Sequence, residues 1–482
     1  MLFNSIDFAI FLPLVFMAYW LIPARHIRAQ NILIVLASYV FYGWWDWRFL
    51  SLIVFSTIVD YVVGRRLAEE NRPVRRKFLL WVSIAVNLGF LGFFKYYNFF
   101  VENFVEAFSF FGQPIKADLL HIILPVGISF YTFQTLSYTI DVYRRKLEPT
   151  NNFIAFTAFV SFFPQLVAGP IERATHLLPQ FYKKRIFRYD LAADGMRQIL
   201  WGLFKKMVIA DNCAGYVNMI FSNPESHSGS MLVLGAVLFA FQIYGDFSGY
   251  SDIAIGTARL FGFDLMKNFA FPYFSRDIAE FWRRWHISLS TWFRDYLYIP
   301  LGGSRGSTAN QIRNVFIIFI VSGFWHGANW TFIAWGALNA LYFLPLLLLN
   351  RNRSNLDTIA EHSFFPSFRE LMGMLLTFAV TVLAWVFFRA ESIGHAWEYL
   401  GGIFTQSLFT IPEIMNFKQL DVLLKLLLLF LIVEWYGRKT EFAIQKFATW
   451  PKLFRWPAYI FVIFLIGMYA QTEETPFIYF QF

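Results

Sequence analysis

The chain has little charge and almost no cysteine. Of its 482 residues, 15% are charged and only one, Cys213, is a cysteine. Soluble globular domains carry about 25% charged residues, so this composition argues against a water-soluble protein. A single cysteine excludes a disulfide framework within the chain and any metal site built from several thiolates. We therefore expect Cys213 to be a small packed side chain.

Apolar and aromatic residues take the place of the missing charge. Hydrophobic residues make up 57% of the chain and aromatic residues 21%, and the mean hydropathy is +0.48. Apolar runs of about 20 residues are long enough to cross a bilayer core of about 30 Å, and a helix satisfies its own backbone hydrogen bonds there. The sequence predicts an all-α polytopic membrane protein, with residues 1–482 forming a single integral-membrane domain.

The hydrophobic pattern predicts about eleven membrane-spanning helices. We interpret the N-terminal apolar run as the first span rather than a signal peptide, because it lacks a basic leading region. Residues 64–77 carry six basic residues, and the positive-inside rule places this loop in the cytoplasm. The predicted spans cover residues 6–23, 31–47, 50–64, 78–98, 195–220, 231–260, 312–331, 332–349, 370–388, 420–436 and 455–471.

Four other segments predict helices that do not simply cross. Residues 99–118 predict a helix on the membrane surface. Residues 123–146 combine a proline, a glycine and many hydroxyl groups with an apolar run, which is typical of a segment lining a cavity. Residues 153–170 end in a Gly-Pro pair and predict a hairpin that does not fully cross. Residues 273–300 are too charged for a span, but their aromatic side chains recur at helical spacing and predict a re-entrant helix.

Ionisable residues inside the apolar regions form three clusters, and such residues are costly at membrane depth and usually mark function. The first cluster is YGDFSGYSD, which contains Asp246 and Asp252. Ion pairs that only hold helices together are the alternative for these two carboxylates. Candidate partners are Arg283, Arg284 and Arg294.

The second cluster, EFWRRWHIS, contains His286 and two arginines, and the third is GFWHGANW around His326. His286 could donate to a backbone carbonyl and do nothing else, and the arginines could be anchors near lipid headgroups. His326 lies between Gly323 and Gly327, which open the backbone around it. A neutral imidazole in a dry site is suited to general-base catalysis. A histidine that only packs helices is the alternative.

Several other functions have no support in the sequence. The chain contains no nucleophile elbow, zincin motif, phosphate-binding loop or dinucleotide-binding fingerprint. His286 and His326 have no third ligand at a suitable spacing, so no metal site is predicted. The net charge of +9 is explained by basic residues in short cytoplasmic loops rather than by nucleic-acid binding.

The clusters also carry a family resemblance. The stretches LPVGISFYTFQTLSYTIDVYR, FPQLVAGPIER, YGDFSGYSDIAIG, EFWRRWHISLSTWFRDYLYIPLGGSRG and GFWHGANWTFIAWG resemble the membrane-bound O-acyltransferase superfamily, and within it the bacterial alginate O-acetylation branch. They lie in a motif-bearing core of about residues 123–349. The resemblance implies a ring of membrane helices and re-entrant helices around a central funnel and tunnel. His326 matches the nearly invariant catalytic histidine of the family, and His286 matches its second histidine.

The resemblance implies transfer of an acyl group from a thioester to a hydroxyl. In this branch an acetyl group from a cytoplasmic donor, acetyl-CoA, passes outward to an exported polysaccharide such as alginate, with an extracytoplasmic SGNH-type acetyltransferase as partner. The protein would be a multi-pass protein of the cell inner membrane, in contact with the lipid bilayer and without a bound cofactor. The alternatives are the D-alanylating branch that modifies teichoic acid and a transporter without catalysis.

The resemblance also implies roles for the neighbours of the two histidines. His326 would be the catalytic base, and His286 would orient the donor or accept a hydrogen bond. The residues expected to bind substrate are Arg283, Arg284, Trp285, Trp325 and Asn329. The two arginines would meet the phosphates of coenzyme A, and Asn329 would donate to the developing oxyanion.

Overall fold

The computed structural model describes residues 1–110, 119–412, 417–471 and 477–478. All regular elements in these ranges are helical, which confirms the predicted all-α class. The described residues form two compact units. One comprises Met1–Ala192 and Thr257–Leu265, and the other comprises Ala193–Gly256 and Met266–Phe482. The prediction of a single domain with a central funnel and tunnel stays a prediction.

Six helical stretches in the described part of the chain are long and apolar enough to cross a membrane. This confirms a polytopic membrane protein but not the count of eleven spans. Part of the difference is that one stretch, Ile27–Glu69, contains two of the predicted spans. The six stretches are Ile27–Glu69, Pro73–Phe110, Gly229–Leu260, Trp330–Leu348, Phe368–Arg389 and Lys452–Tyr469.

The first unit contains nine α-helices among its described residues. They are α1 (Ile6–Leu21), α2 (Ile27–Asp46), α3 (Leu50–Glu69), α4 (Pro73–Leu91), α5 (Tyr97–Phe110), α6 (Ile128–Tyr143), α7 (Phe153–Ser161), α8 (Phe163–Leu166) and α9 (Ala174–Leu177). A π-helical turn joins α4 to α5, so the helix predicted to end near residue 98 continues to Phe110. Residues 111–118 of the predicted surface helix lie outside the described residues. The short α7 and α8 agree with a segment that does not cross.

Helix α6 shows why segment 123–146 is rich in hydroxyl groups. All but two of its 16 residues are buried, so it packs within protein rather than against lipid. Asp60 of α3 is fully buried beside it and accepts hydrogen bonds from Thr139 of α6 at 3.1 Å and from Asn87 of α4 at 2.9 Å. Ser83 of α4 donates to the same carboxylate. These bonds join three helices through polar groups that lipid could not satisfy.

Among the described residues, eleven further α-helices belong wholly or mainly to the second unit. They are α10 (Tyr189–Leu203), α11 (Asp211–Ser222), α12 (Gly229–Leu260), α13 (Ile278–Arg284), α14 (Ile287–Phe293), α15 (Thr308–His326), α16 (Trp330–Leu348), α17 (Phe368–Arg389), α18 (Ile393–Ile403), α19 (Phe417–Gly437) and α20 (Lys452–Tyr469). Helix α18 was not expected from the sequence. Its 11 residues, which include Gly394, Gly401 and Gly402, are too few and too glycine-rich to give a clear hydrophobic signal.

The single re-entrant helix predicted over residues 273–300 is wrong in detail. The chain forms two short helices, α13 and α14, that are separated at Trp285 and His286. His286 has φ = +42°, a left-handed conformation that separates the two helices. Residues with a β-carbon rarely adopt this conformation, because it is strained. Four side chains of this segment that recur at helical spacing are nevertheless all buried: Phe281, Trp285, Ser288 and Trp292.

Helices α15 and α16 form a close hairpin, and glycines permit the close approach. A β-carbon on Gly323 would lie 2.2 Å from the carbonyl oxygen of Phe332, and one on Gly336 would lie 2.4 Å from the carbonyl oxygen of Phe319. Small residues at such contacts allow helix backbones to pack directly in a membrane protein. Ser307 and Asn329 cap the two helices through their side-chain oxygens, so the hairpin has defined ends.

We expect Gly323→Ala to destabilise the second unit by about 1–3 kcal/mol, because the added methyl group would overlap a backbone oxygen that cannot rotate away. Thermal unfolding in detergent measures the change. Gly467→Ala in α20 is the matched control, because a β-carbon at that position would meet no atom within 4 Å apart from the adjacent chain of α20 itself, and alanine favours helix over glycine by about 1 kcal/mol. Equal melting temperatures for Gly323→Ala and the wild type would contradict the proposed close contact.

Candidate active site

His326 is the last residue of α15, and Gly327 leaves the helix in an extended conformation. The imidazole is 4% exposed. Its ring centroid lies 5.2 Å from that of Trp335 on α16 and 5.3 Å from that of Phe388 on α17. A β-carbon at Gly327 would overlap the Phe332 ring, so glycine is needed where the chain turns. The sequence Trp-His-Gly thus places an imidazole against aromatic rings from two further helices.

His286 lies at the break between α13 and α14 and is 1% exposed. Its ring meets Phe247 edge-on, with the centroids 4.6 Å apart. Its Nδ1 lies 3.1 Å from Asn268 Oδ1. His286 lies outside the six membrane-crossing stretches, and burial lowers the pKa of its imidazole to about 3. The ring is therefore neutral at physiological pH.

The structure brings the two histidines to one indole. The Trp325 ring centroid lies 4.9 Å from that of His326 and 6.2 Å from that of His286. These imidazoles belong to separate helical segments, and the sequence alone did not predict which residue connects them. Both imidazoles are therefore buried side chains of one aromatic cluster that includes Trp325.

Aromatic side chains form most of the wall around both histidines. Trp285 and Trp335 are each within 6 Å of Trp385, measured between ring centroids, and all three indoles are nearly inaccessible to solvent. Such a wall excludes water and strengthens electrostatic interactions inside it. The aromatic residues that contact a histidine or each other here are Phe247, Phe269, Trp285, Trp325, Trp335, Trp385 and Phe388.

Arg283 and Arg284, predicted to bind phosphate, differ in their surroundings. The exposed Arg283 donates to the backbone carbonyls of Asn352 and Asn355, at 2.8 and 2.6 Å. A guanidinium has five N–H donors, so others are available to an anion. Arg284 is half-buried and forms an ion pair with the buried Glu280 at 2.7 Å. Much of its hydrogen-bonding capacity is thus used within the protein.

Asn329 is the N-cap of α16. Its Oδ1 accepts a hydrogen bond from the backbone N–H of Thr331 at 3.0 Å, and its Nδ2 donates to the carbonyl of Glu391 at 2.9 Å. A primary amide nitrogen carries two hydrogens, so one remains for a substrate. Asn329 therefore has a structural role, because it caps α16 at a position three residues beyond His326.

The expected arginine partners of Asp246 and Asp252 are wrong. Asp246 pairs with Lys206 at 2.8 Å and Asp252 with Lys205 at 2.6 Å, and all four side chains are largely buried. Both lysines lie in a π-helical turn, Phe204–Ala210, between α10 and α11. Lys206 also pairs with Asp211 at 2.7 Å. Two adjacent lysines within the apolar stretch WGLFKKMVIA were the signal that sequence reasoning missed.

The sequence also gave no indication of Asn268, Trp335 and Trp385. Asn268 lies in the connection after α12, where a single amide has no recognisable pattern, and the two tryptophans look like ordinary membrane-helix aromatics. Cys213 is buried, as predicted. Within the described ranges, no three histidine, cysteine or acidic side chains are grouped so that they could hold a metal ion.

Comparison with known proteins bears on what this site does. The family model for membrane-bound O-acyltransferases (MBOAT) matches residues 144–358. The chain is 41% identical over 444 residues to "Probable alginate O-acetylase AlgI" of Pseudomonas aeruginosa, covering 91% of this chain and 81% of that relative. It is 38% identical to the protein of the same name from Pseudomonas putida over the whole of both chains. It is 36% identical to "Peptidoglycan O-acetyltransferase" of Helicobacter pylori, covering 84% of this chain and 80% of that relative.

Proposed function

The chain belongs to the membrane-bound O-acyltransferase family, and from this premise we propose that it is an O-acetyltransferase for an exported polysaccharide. The observation that carries the proposal is the pair of buried histidines on one indole, Trp325, in a chain similar over most of its length to polysaccharide O-acetylases. The proposed reaction moves an acetyl group from a cytoplasmic thioester, acetyl-CoA, to a hydroxyl group. Alginate is the first acceptor to test, because several relatives are named as probable alginate O-acetylases.

His326 acts in this proposal as the general base. A hydroxyl group is a weak nucleophile at neutral pH, so a base must take its proton as the oxygen attacks the thioester carbonyl carbon. The C–O bond forms, the C–S bond breaks, and the leaving thiolate takes up a proton from the imidazolium. A correctly placed base contributes about 10²- to 10⁴-fold to the rate. The aromatic wall supports this role because it keeps water from the thioester.

The remaining site residues bind and orient substrate in the proposal. His286 accepts a hydrogen bond from the bound donor or acceptor, while Trp285 and Trp325 form the wall. Arg283 meets a phosphate of coenzyme A with its remaining N–H groups, and Arg284 adds positive charge beside it. In the proposal, Asn329 donates its second Nδ2 hydrogen to the developing oxyanion. Such a donor commonly lowers the activation barrier of acyl transfer by about 3–4 kcal/mol.

The cellular setting follows from the direction of transfer. We place the protein in the cell inner membrane, because its donor is cytoplasmic and its acceptor is exported. An extracytoplasmic SGNH-type acetyltransferase is the partner that completes transfer to the polysaccharide.

The identity of the donor separates this proposal from its alternatives. Membranes containing the protein would be given radiolabelled acetyl-CoA or a D-alanyl carrier-protein thioester, with polysaccharide acceptor and partner present. We expect label to enter the polysaccharide from acetyl-CoA without the carrier protein, and membranes without the protein are the control. A strict requirement for the carrier thioester would assign the chain to D-alanyl transfer. Movement of substrate without any acyl transfer would assign it to transport.

A further inference from the structure

The buried amide of Asn268 has a fixed orientation. The backbone N–H of Ser288 donates to Asn268 Oδ1 at 3.3 Å, and the Ser288 hydroxyl donates to the same atom at 2.8 Å. A backbone N–H can only donate, so the amide atom that faces it must be the oxygen. On its other side, Asn268 Nδ2 donates to Ser251 Oγ at 2.9 Å. The amide oxygen therefore points at the turn that contains His286.

This orientation decides which nitrogen of His286 carries the proton. Nδ1 of His286 lies 3.1 Å from the same Asn268 Oδ1. An amide oxygen has no hydrogen to give, so Nδ1 must donate and must be protonated. In a neutral imidazole, Nε2 then carries the lone pair. Nε2 is buried and makes no hydrogen bond to any residue in the described part of the chain.

The backbone around Asn268 holds the same turn. The N–H of Ile287 donates to the carbonyl of Asn268 at 2.9 Å, and the N–H of Ala270 donates to the carbonyl of Arg284 at 2.9 Å. These two bonds bracket His286 and hold its left-handed backbone in place. Asn268 thus fixes both the tautomer of the His286 ring and the backbone position of His286.

We infer that Asn268 is a positioning residue that holds His286 in the Nδ1–H tautomer, so that Nε2 accepts a hydrogen bond from an O–H or N–H group of bound substrate. The inference rests on the proposed function, because it assigns His286 to the acyl-transfer site. It also gives the two histidines different tasks. His326 takes the proton of the attacking hydroxyl, whereas His286 can only accept a hydrogen bond and cannot donate one to an oxyanion from Nε2.

Among the residues that the structure describes, the groups that contact His286 through ring contacts and hydrogen bonds are uncharged. They are the rings of Phe247, Phe269 and Trp325 and the side chains of Asn268 and Ser288. The tautomer is therefore set by one neutral hydrogen bond and not by a nearby charge. A carboxylate at position 268 would keep the acceptor for Nδ1–H and would add a negative charge that stabilises the imidazolium form.

Two substitutions test the inference by activity. Asn268→Asp is expected to move the acidic limb of the pH profile of kcat/KM upward by about one pH unit or more, because protonation removes the Nε2 lone pair. Asn268→Leu removes the oxygen that accepts the Nδ1–H hydrogen bond and is expected to lower kcat about 10- to 100-fold. Loss of the residue that orients a metal-binding histidine has an effect of this size. Asn31→Leu is the control. It removes another buried amide, in the first unit, and is expected to reduce the amount of folded protein without shifting the pH profile.

Nitrogen-15 NMR of histidine-labelled protein in membranes reads the tautomer directly, and comparison with His286→Asn assigns the signal. We expect protonated Nδ1 in the wild type and loss of that preference in Asn268→Leu. Protonated Nε2 in the wild type, or an Asn268→Asp pH profile equal to that of the wild type, would overturn the inference. Failure of the wild type to transfer acetyl from any thioester would overturn the proposed function instead, so the two failures are distinguishable.

Discussion

Replacing His326 with alanine is expected to reduce glycan-bound acetate to background, a loss of about 10²- to 10⁴-fold in transfer rate. The reason is that the proposed mechanism requires the His326 imidazole to take the proton of the attacking hydroxyl. The rings around it belong to Trp325, Trp335 and Phe388. Acetate would be released from the glycan by mild base and quantified, and the membrane level of the protein would be measured by blot.

Two further variants separate chemistry from packing at His326. His326→Gln keeps a polar side chain but has no nitrogen that can accept a proton from a hydroxyl, so we expect the same loss of acetate. His362→Ala removes an exposed histidine from the loop between α16 and α17 and should have no effect. Normal acetate in His326→Ala at equal protein level would return His326 to a packing role and would remove the general base from the mechanism.

Replacing Lys206 with methionine is expected to have the largest effect on stability. Lys206 Nζ lies 2.7 Å from Asp211 Oδ1 and 2.8 Å from Asp246 Oδ1, and the lysine and both acidic side chains are almost fully buried. Without the lysine, two buried carboxylates face each other with no counter-charge between them. Removal of one partner from a buried ion pair costs about 3–5 kcal/mol. We therefore expect little folded Lys206→Met protein in membranes, as measured by size-exclusion chromatography after detergent extraction.

A surface pair provides the control for Lys206. Arg188 lies 2.6 Å from Asp190, but both side chains are more than half exposed. An exposed ion pair contributes about 0–1 kcal/mol, so Arg188→Met should melt close to the wild type. Combining Lys206→Met with Asp211→Asn and Asp246→Asn should recover folded protein, because it removes the uncompensated charges. If Lys206→Met alone melted like the wild type, the buried network would not stabilise the second unit.

The sequence predicted the helical membrane class and two consecutive helices in the region of His326, and it singled out two histidines whose role in catalysis stays a prediction. These predictions depended on local signals. Apolar runs of sufficient length form helices in lipid because the backbone must bond to itself. Capping residues such as Ser307 and Asn329 and glycines such as Gly323 act within a few residues of their own positions. Motifs that carry chemistry are also short, so Trp-His-Gly was recognisable without knowing what packs against it.

Only the tertiary structure decided the partners of those residues. Asn268, which sets the tautomer of His286, is 18 residues away from it in sequence, and the lysines that neutralise Asp246 and Asp252 lie on another helix. The arginines closest in sequence to His286 instead bind Glu280 and the carbonyls of Asn352 and Asn355. Hydrogen bonds and ion pairs of this kind depend on which helix faces meet. That choice is made by the packing of many side chains together, and no short stretch of sequence contains it.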